Sequence, residues 1–275
     1  MPGDHVSPNA ADSAFASWLK ALEARHLSDL TFPEVARALR SLSSTYVERR
    51  QRLREGAALA GAGKRAAFAL FYGPLHYLLV RHVIASLPGG AAGAPAMVDL
   101  GCGTGAAGAA WAAQCRVRPR LLGIDTHPWA LEESGRTYAA FGLRFRTRRG
   151  HVVDVDWPRT PALVVAAFTV NELDDAARNR LLASLLQRAG SGDRILIVEP
   201  LARFVARWWD EWRDAFVRAG GRGDEWRFRI ELPQIVAKLD RAAGLDHREI
   251  TGRSLWIGEG GSAPGMSGPS ARMHA

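Results

Sequence analysis

The chain has 275 residues, of which 47% are apolar and 23% charged, so it has the composition of a globular protein with material for a sizeable core. Its two cysteines, Cys102 and Cys115, exclude a disulfide framework and a four-cysteine metal site, and they fit a reducing compartment. The net charge of +8 would suit a polyanion such as RNA, but all but three of the 36 basic residues are arginine, so we favour a compositional bias as its source. Because the chain begins with no secretory signal and has no long apolar run, we expect a soluble, cytoplasmic, bacterial-type protein with no membrane partner and no metal.

Residues 11–87 show helical periodicity. Ser13 is a candidate cap for the helix ASWLKALEARH, and Pro33 stands near the start of a second helix, PEVARALRSLSSTYVERRQRL. A Gly/Ala stretch at 55–64 precedes an aromatic helix, YGPLHYLLVRHVIASL, and a Gly/Pro-rich linker follows at 88–95. We therefore expect an N-terminal helical region over residues 1–90.

Short apolar strands alternate with helices from Ala96 onward. The strand candidates are AMVDL, RLLGID, LRFRTR, ALVVAAF and RILIVEP, and the helices between them are GAAGAAWAAQC, PWALEESGRTYAAFG and DDAARNRLLASLLQRAG. This alternation predicts a parallel sheet with helices on both faces. The chain then continues with a tryptophan-rich helix (LARFVARWWDEWRDAFVRAG), the helix LPQIVAKLDRAAG, two final strands in HREI and SLWIG, and a tail at 260–275 that we expect to be disordered.

The segment MVDLGCGTGAAG, residues 97–108, carries the functional argument. Its strand runs into Asp99, and glycines at 101, 103 and 105 then allow the backbone to turn sharply and approach a ligand at the start of a helix. Asp125 ends the next strand, where an acid can accept hydrogen bonds from both hydroxyls of a ribose. Gly103, Gly105 and Gly108 also fit the dinucleotide fingerprint. The early Gly101 favours a methyl donor over NAD, as does Asp99, which could meet an amino-acid ammonium or hold the loop.

DLGCGTG followed by GIDTHP resembles the first two motifs of the class I S-adenosylmethionine-dependent methyltransferases. The resemblance covers roughly residues 96–258. It implies S-adenosyl-L-methionine as cofactor and an α/β, Rossmann-like domain, for which we expect residues 91–259, with a seven-stranded sheet that is mostly parallel and has an antiparallel last strand. It also implies that Asp125 binds the ribose and that Thr126 and His127 lie beside the adenine. The methionine end would be held by Asp99 and the loop residues Gly101, Cys102, Gly103 and Gly105.

Two strand ends leave alternatives open. The family usually ends strand three with Gly-Asp, whose acid reaches the adenine amino group. Here His151 follows Gly150, so that either His151 takes this role or the alignment shifts to Asp154 or Asp156. At the end of strand four, Asn171 and Glu172 would face the transferable methyl group. Glu172 is a candidate general base, or alternatively a contact of the N-terminal helices.

Tyr72 and His76 lie one helical turn apart just before the first strand, and both are candidate catalytic residues. Ordinary core packing is the alternative for this aromatic helix. The chain lacks an Asn-Pro-Pro-aromatic run after strand four, and neither cysteine lies after strand four or five. Methylation of an exocyclic base nitrogen or of a pyrimidine carbon is therefore not predicted, and the acceptor stays open.

A weaker resemblance extends over the whole chain. RALRSLSSTYVERR, VVAAFTVNELDD and ILIVEP are similar to segments of the ribosomal small-subunit-associated methyltransferase-like family, although the iron–sulfur cysteines of many members are missing. The basic helix with Arg37, Arg40, Arg49, Arg50, Arg52 and Arg54 points in the same direction. We predict an S-adenosylmethionine-dependent methyltransferase with an unidentified acceptor, either a small molecule or RNA. The alternative is a non-catalytic, cofactor-binding assembly factor associated with RNA or the ribosome.

Overall fold

The computed structural model describes residues 8–48, 59–201 and 208–258, which form a helical layer followed by an α/β sheet. The helices are α1 (Pro8–His26), α2 (Phe32–Glu48), α3 (Ala62–Ala67), α4 (Gly73–Ser86), α5 (Ala106–Ala112), α6 (Pro128–Ala140), α7 (Asp175–Gly190), α8 (Trp209–Arg218) and α9 (Gln234–Ala242). The strands are β1 (Ala96–Leu100), β2 (Arg120–Asp125), β3 (Arg144–Arg149), β4 (Ala162–Ala167), β5 (Arg194–Glu199), β6 (Arg222–Phe228) and β7 (Ile250–Ile257).

The sheet has seven strands in the order β3-β2-β1-β4-β5-β7-β6. Neighbours among β1 to β5 are parallel, whereas β7 lies between β5 and β6 and is antiparallel to both. The expected α/β fold with an antiparallel last strand is confirmed. Because the strand order reverses between β1 and β4, the carboxyl ends of these strands border the crevice in which such sheets bind ligands.

Local sequence accounts for the central elements. β4 and β5 are rich in β-branched and aliphatic residues, and nearly every position is buried, as central parallel strands covered on both faces require. The side chain of Asp174 caps α7 by accepting a hydrogen bond from the N–H of Ala177 at 2.7 Å. The ring of His127 does the same for α6, accepting from the N–H of Trp129 at 3.1 Å, with Pro128 as the first helical residue.

A single apolar rod crosses the molecule between α2 and the sheet. It consists of α3, one π turn (Phe68–Tyr72) and α4, and in the π turn the N–H of Gly73 donates to the carbonyl of Phe68, five residues earlier. By length and composition this rod, Ala62–Ser86, could cross a membrane, but 72% of its apolar window is buried inside the fold. Burial of this kind is typical of the core helix of a globular protein.

The N-terminal helices share a hydrophobic core with the sheet. Leu22, Leu39 and Leu70 belong to the same buried cluster as Leu163 and Leu196 of the central strands. Polar contacts add to this packing, since the Trp18 indole N–H donates to Thr137 of α6 at 3.0 Å and Arg25 pairs with the buried Glu133. The helical layer is thus built onto one face of the sheet.

Three local predictions are wrong. α1 begins at Pro8, so Ser13 lies inside the helix and is not its cap. The aromatic helix begins at Ala62, ten residues before Tyr72, because the Gly/Ala stretch continues the helix. HREI supplies only Ile250 to β7, and the sixth strand is RGDEWRF, whose alternate residues Asp224, Trp226 and Phe228 are the less exposed ones. The tail at 260–275 and the basic positions 49, 50, 52 and 54 lie outside the described residues.

Candidate active site

The glycine loop between β1 and α5 has a backbone that L-residues rarely adopt. Gly101, Gly103 and Gly105 have φ angles of 64°, 52° and 76°. A Cβ atom at Gly101 would lie 2.4 Å from the hydroxyl oxygen of Thr169, so this glycine permits a close approach to the end of β4. At Gly103 a Cβ would meet no described atom closer than 3.9 Å, which leaves space above this turn of the loop.

Asp99 holds the loop from beneath. Its side chain is 1% exposed, and its Oδ2 accepts hydrogen bonds from the N–H of Gly108 at 3.0 Å and from the Tyr138 hydroxyl at 2.8 Å. Burial raises the pKa of Asp99 to about 7 against the opposing effect of these two bonds, and the nearby charge of Asp125 raises it further. These contacts join the end of β1 to α5 and α6 behind the loop, and the role of Asp99 toward a ligand stays a prediction.

Cys102 turns its side chain inward, with its Sγ 3.4 Å from the hydroxyl of Ser134. Its backbone N–H donates to the carbonyl of Ile124 at 2.9 Å, which joins the loop to β2. Burial raises the pKa of this thiol well above its usual value, so the thiol stays protonated and unreactive. Its carbonyl accepts from the N–H of Gly105 at 2.7 Å, so the side chain and both polar backbone groups of Cys102 are engaged by protein.

Asp125 stands at the carboxyl end of β2 and remains partly exposed. Its Oδ2 accepts from the N–H of Gly103 at 3.0 Å, and its Oδ1 accepts from the N–H of His127 at 2.8 Å. An ionised carboxylate offers about four acceptor positions, so that two remain for an outside donor. The following Thr126 is exposed, and its carbonyl accepts a hydrogen bond from Arg149.

The end of β3 places His151 next to Asp125. The N–H of Gly150 donates to the carbonyl of Asp125 at 3.0 Å, and the exposed His151 follows directly. Asp156, one of the alternatives, is instead engaged by Arg148 at 2.5 Å, with its own side chain 92% exposed. This arrangement favours His151 over Asp156 for a contact to the ligand, and the role itself stays a prediction.

The end of β4 is strained and tied to the loop. Phe168 has a φ of 60°, a left-handed conformation that is unusual for a bulky residue. The next residue, Thr169, donates its hydroxyl to the carbonyl of Leu100 at 3.0 Å. A strained backbone of this kind persists only where the surrounding structure fixes it, and it is frequent at functional sites.

A buried polar network connects β4, β5 and the start of α8. Glu199, which is 0% exposed, accepts hydrogen bonds from the N–H groups of Val170 at 2.8 Å and Asn171 at 3.3 Å, and from the Asn171 side-chain amide. The amide oxygen of Asn171 accepts from the indole N–H of Trp208 at 3.1 Å. The Asn171 side chain, predicted to bind the cofactor, is therefore occupied by protein on both of its polar atoms.

Glu172 follows β4 at this edge, and its side chain is exposed. Its backbone N–H donates to the carbonyl of Thr169 at 3.0 Å, whereas its carboxylate makes no hydrogen bond or ion pair with the described residues. Loss of hydration raises the pKa of Glu172 to about 7, and the negative charge of Asp125 raises it further. A carboxyl group with such a pKa is suited to exchange protons near neutral pH.

Tyr72 and His76 come from the rod that borders the glycine loop. A Cβ atom at Gly73 would lie 3.2 Å from the Thr104 hydroxyl, which shows how closely rod and loop pack. The His76 ring stacks on Phe168 with centroids 3.7 Å apart, and Tyr72 lies 6.1 Å from His76. Burial lowers the pKa of His76 to about 3, so its imidazole is neutral, and it raises the pKa of Tyr72 to about 12.

Sequence reasoning missed Phe68, Tyr138, Phe168 and the full role of Glu199. Tyr138 and Asp99 are 39 residues apart in the chain, and no local pattern joins them. Of these residues, Phe168 could have been found from the sequence, because it is a large aromatic residue directly after an apolar strand and close to the predicted site. Of the predicted residues, Asp125 and His151 follow the neighbouring strands β2 and β3, and Glu172 follows β4, which β1 separates from β2.

Comparison with protein families matches residues 97–191, from β1 to just beyond α7, to the family described as "Methyltransferase domain". Comparison with curated proteins gave no match. Similar solved structures include the mitomycin 7-O-methyltransferase, with 16% identity and a TM-score of 0.48 over 93% of this chain and 73% of that one. A methyltransferase from Aquifex aeolicus has 13% identity and a TM-score of 0.45 over 67% and 91% of the two chains. Magnesium protoporphyrin IX methyltransferase from Synechocystis has 15% identity and a TM-score of 0.44 over 66% and 78%.

Proposed function

We propose that the chain is a class I S-adenosylmethionine-dependent methyltransferase that transfers the methyl group at the carboxyl edge of its sheet, with Glu172 as the proton acceptor; the methyltransferase-domain match over residues 97–191 supports this class. The observation that carries this proposal is the state of Glu172. It is an accessible carboxylate at the end of β4, without a hydrogen-bonding partner among the described residues and with a pKa raised to about 7.

The residues at this edge fit S-adenosylmethionine. The open space above Gly103 allows a ligand to approach the loop backbone, and Asp125 retains acceptor positions for two ribose hydroxyls. His151 and Thr126 border the same side, where we propose that the adenine lies. The buried Asp99 supports the loop through Gly108 and leaves the methionine end to the backbone of residues 101–105.

When bound, S-adenosylmethionine would supply a methyl group made electrophilic by its positively charged sulfur. The protein then has to align the acceptor, exclude water and take up the proton that the acceptor loses. Glu172 can take up that proton in its ionised form, which prevails above its pKa. His76 is neutral and Tyr72 is protonated at neutral pH, so we propose that they orient the acceptor through hydrogen bonding.

We propose a small-molecule acceptor and a cytoplasmic location. Two buried free cysteines, Cys102 and Cys115, fit a reducing compartment. The alternative of an RNA-associated assembly factor depended on six arginines, of which Arg37 and Arg40 of α2 lie within the described residues and are exposed. Two exposed arginines alone do not favour it over an enzyme with its own acceptor.

Calorimetric titrations with S-adenosylhomocysteine and with NAD test the proposal on the unmodified protein. We expect binding of S-adenosylhomocysteine and none of NAD, because the glycine loop begins early, at Gly101, as the methyl-donor motif does. Label transfer from S-adenosylmethionine to the small-molecule fraction of a cell extract should follow. Tight NAD binding without a response to S-adenosylhomocysteine would contradict the assignment, and label found only in RNA would contradict the small-molecule acceptor.

A further inference from the structure

Three rings of the π turn and the helix after it form a group beside the glycine loop, which we call the aromatic wall: Phe68, Tyr72 and His76. Their ring centroids are 5.7 Å apart for Phe68 and Tyr72, 6.1 Å for Tyr72 and His76, and 6.2 Å for Phe68 and His76. Phe68 Cε1 lies 3.9 Å from the position that a Cβ of Gly103 would occupy. The wall therefore borders the space above the loop.

Core packing alone does not explain the wall. Leu70 and Phe71, in the same π turn, are 0% exposed, whereas Phe68, Tyr72 and His76 all keep part of their surface open. Phe168, which supports His76 from behind, is also partly exposed and is held in its left-handed conformation. Open aromatic surface, a π turn and a strained residue thus occur together at one place, and each of the last two is frequent at functional sites.

The charges around the wall restrict what can bind there. Glu172 and the buried Glu199 lie at the end of β4 and β5, and Asp125 is close enough to raise the pKa of Glu172. Among the described residues no arginine pairs with Glu172, since Arg253 acts on Glu199, Arg178 pairs with Asp175, and Arg65 and Arg149 act on His127. A phosphate or carboxylate on the acceptor would therefore be repelled by Glu172 in its ionised form.

We propose that the aromatic wall binds a planar, uncharged aromatic or heteroaromatic acceptor by stacking, with its hydroxyl or amine directed to Glu172. This inference rests on the proposed function and names its substrate class. Stacked or edge-to-face ring pairs add about 0.5–1.5 kcal/mol beyond the burial of their area, which corresponds to about two- to tenfold in affinity for each ring contact. A saturated ring of the same size and polarity loses that contribution and is also too thick to lie flat on the wall.

The test compares 2-naphthol with decahydro-2-naphthol, which carry the same hydroxyl on a flat and on a puckered ring system. Each is titrated calorimetrically into protein already saturated with S-adenosylhomocysteine. The variants Phe68→Leu and Tyr72→Leu each remove one ring, so that a folding failure of one leaves the other. Phe145→Leu is the matched control, because Phe145 is a partly exposed ring on the edge strand β3 and packs against Tyr138.

We expect 2-naphthol to bind at least about tenfold more tightly than decahydro-2-naphthol, and each wall variant to lose about two- to tenfold in affinity for 2-naphthol. The Phe145→Leu control should retain the affinity of the unmodified protein. Equal binding of the two compounds, absence of binding by both, or wall variants that behave like the control would overturn the aromatic wall as the acceptor site while leaving the methyltransferase assignment intact. Failure of S-adenosylhomocysteine to bind in the first step would overturn the proposed function and this inference together.

Discussion

At the scale of single residues, the two acids of the loop region differ in what the sequence could predict. Asp125 follows β2 directly and lies where the end of a strand predicts it, within reach of Gly103. Asp99 was given two roles, and only the fold brings Tyr138 against it and buries both. Local spacing therefore predicts the position of a side chain at a strand end, whereas a partner 39 residues away is set by packing.

Replacement of Asp125 by alanine should weaken binding of S-adenosylhomocysteine by about 1–3 kcal/mol, because ligand hydroxyls and the N–H groups of Gly103 and His127 lose their acceptor. Calorimetry measures this change. The control is Asp214→Ala, which removes an acid exposed on α8 that pairs only with Arg213 among the described residues. An unchanged dissociation constant for Asp125→Ala would show that Asp125 does not hold the ribose.

Glu172→Gln should retain cofactor binding and lose about 10²–10⁴-fold in turnover, since the amide cannot accept the proton of the acceptor. In the unmodified protein, kcat/KM should rise with pH and level off above a midpoint near 7, because Glu172 acts in its ionised form. The variant should lack this rise. Rates are measured as label transfer to the acceptor over a pH series.

The control for Glu172→Gln is Glu211→Gln, a carboxyl exposed on α8. It should leave both the rate and the pH profile unchanged. If Glu172→Gln retains the turnover of the control, the proton is taken up elsewhere and Glu172 serves the structure.

At the scale of elements, regular hydrophobic patterns were predicted and irregular backbone was not. β1 and β2 lie where the apolar runs predicted them, to the residue. The π turn was not predicted, because no sequence pattern marks the one extra residue that it places in the helix. β6 was not predicted, because Asp224 occupies one of its inward positions and interrupts the apolar alternation. Division of the chain near residue 90 stays a prediction, since helices before that point share a core with the sheet.

The attachment of α1 to α6 depends on a buried acid. Glu133 is 0% exposed and is engaged by Arg25, with His26 at 3.4 Å and Arg136 at 3.8 Å. Burial alone would raise the pKa of Glu133, but the hydrogen bond from His26 and the charges of His26, Arg25 and Arg136 together lower it. Glu133 is therefore ionised in the folded protein.

Arg25→Met should lower the free energy of unfolding by about 2–4 kcal/mol, because it leaves Glu133 buried with weaker partners. Denaturant unfolding at neutral pH measures this loss. Arg248→Met is the matched control, because Arg248 is 79% exposed and its pair with Asp246 should contribute no more than about 1 kcal/mol. Equal losses for the two variants would show that the Arg25–Glu133 pair does not fasten α1 to the sheet.

At the scale of the whole molecule, the central sheet is fixed to its last elements by Glu199. This acid at the end of β5 joins the backbone after β4 to Trp208 through Asn171, and Arg253 of β7 stacks on Trp209 with 4.0 Å to the ring. None of these contacts could be predicted from the sequence, because they join segments that are distant in the chain. A network of this kind makes the stability of the whole fold depend on the protonation of one group.

Burial raises the pKa of Glu199 to about 8, although its hydrogen bonds from Asn171 and Val170 and the charge of Arg253 act against the rise. In the unfolded chain a glutamate titrates near 4.3. The folded protein therefore binds this proton more tightly than the unfolded chain does. The stabilisation of the fold by protonated Glu199 is full below about pH 4 and is lost as pH rises through 8.

Glu199→Gln cannot ionise, and its stability relative to the unmodified protein should increase from pH 5 to pH 9. At pH 5 the variant should be the less stable protein, because its amide presents a donor to the Asn171 amide. Thermal unfolding over this pH range measures the difference, at roughly 2–4 °C for each kcal/mol. Glu249→Gln is the control, because Glu249 forms an exposed pair with Arg227, and its stability difference from the unmodified protein should stay constant over this pH range. If the difference for Glu199→Gln is constant as well, Glu199 stays ionised in the folded protein.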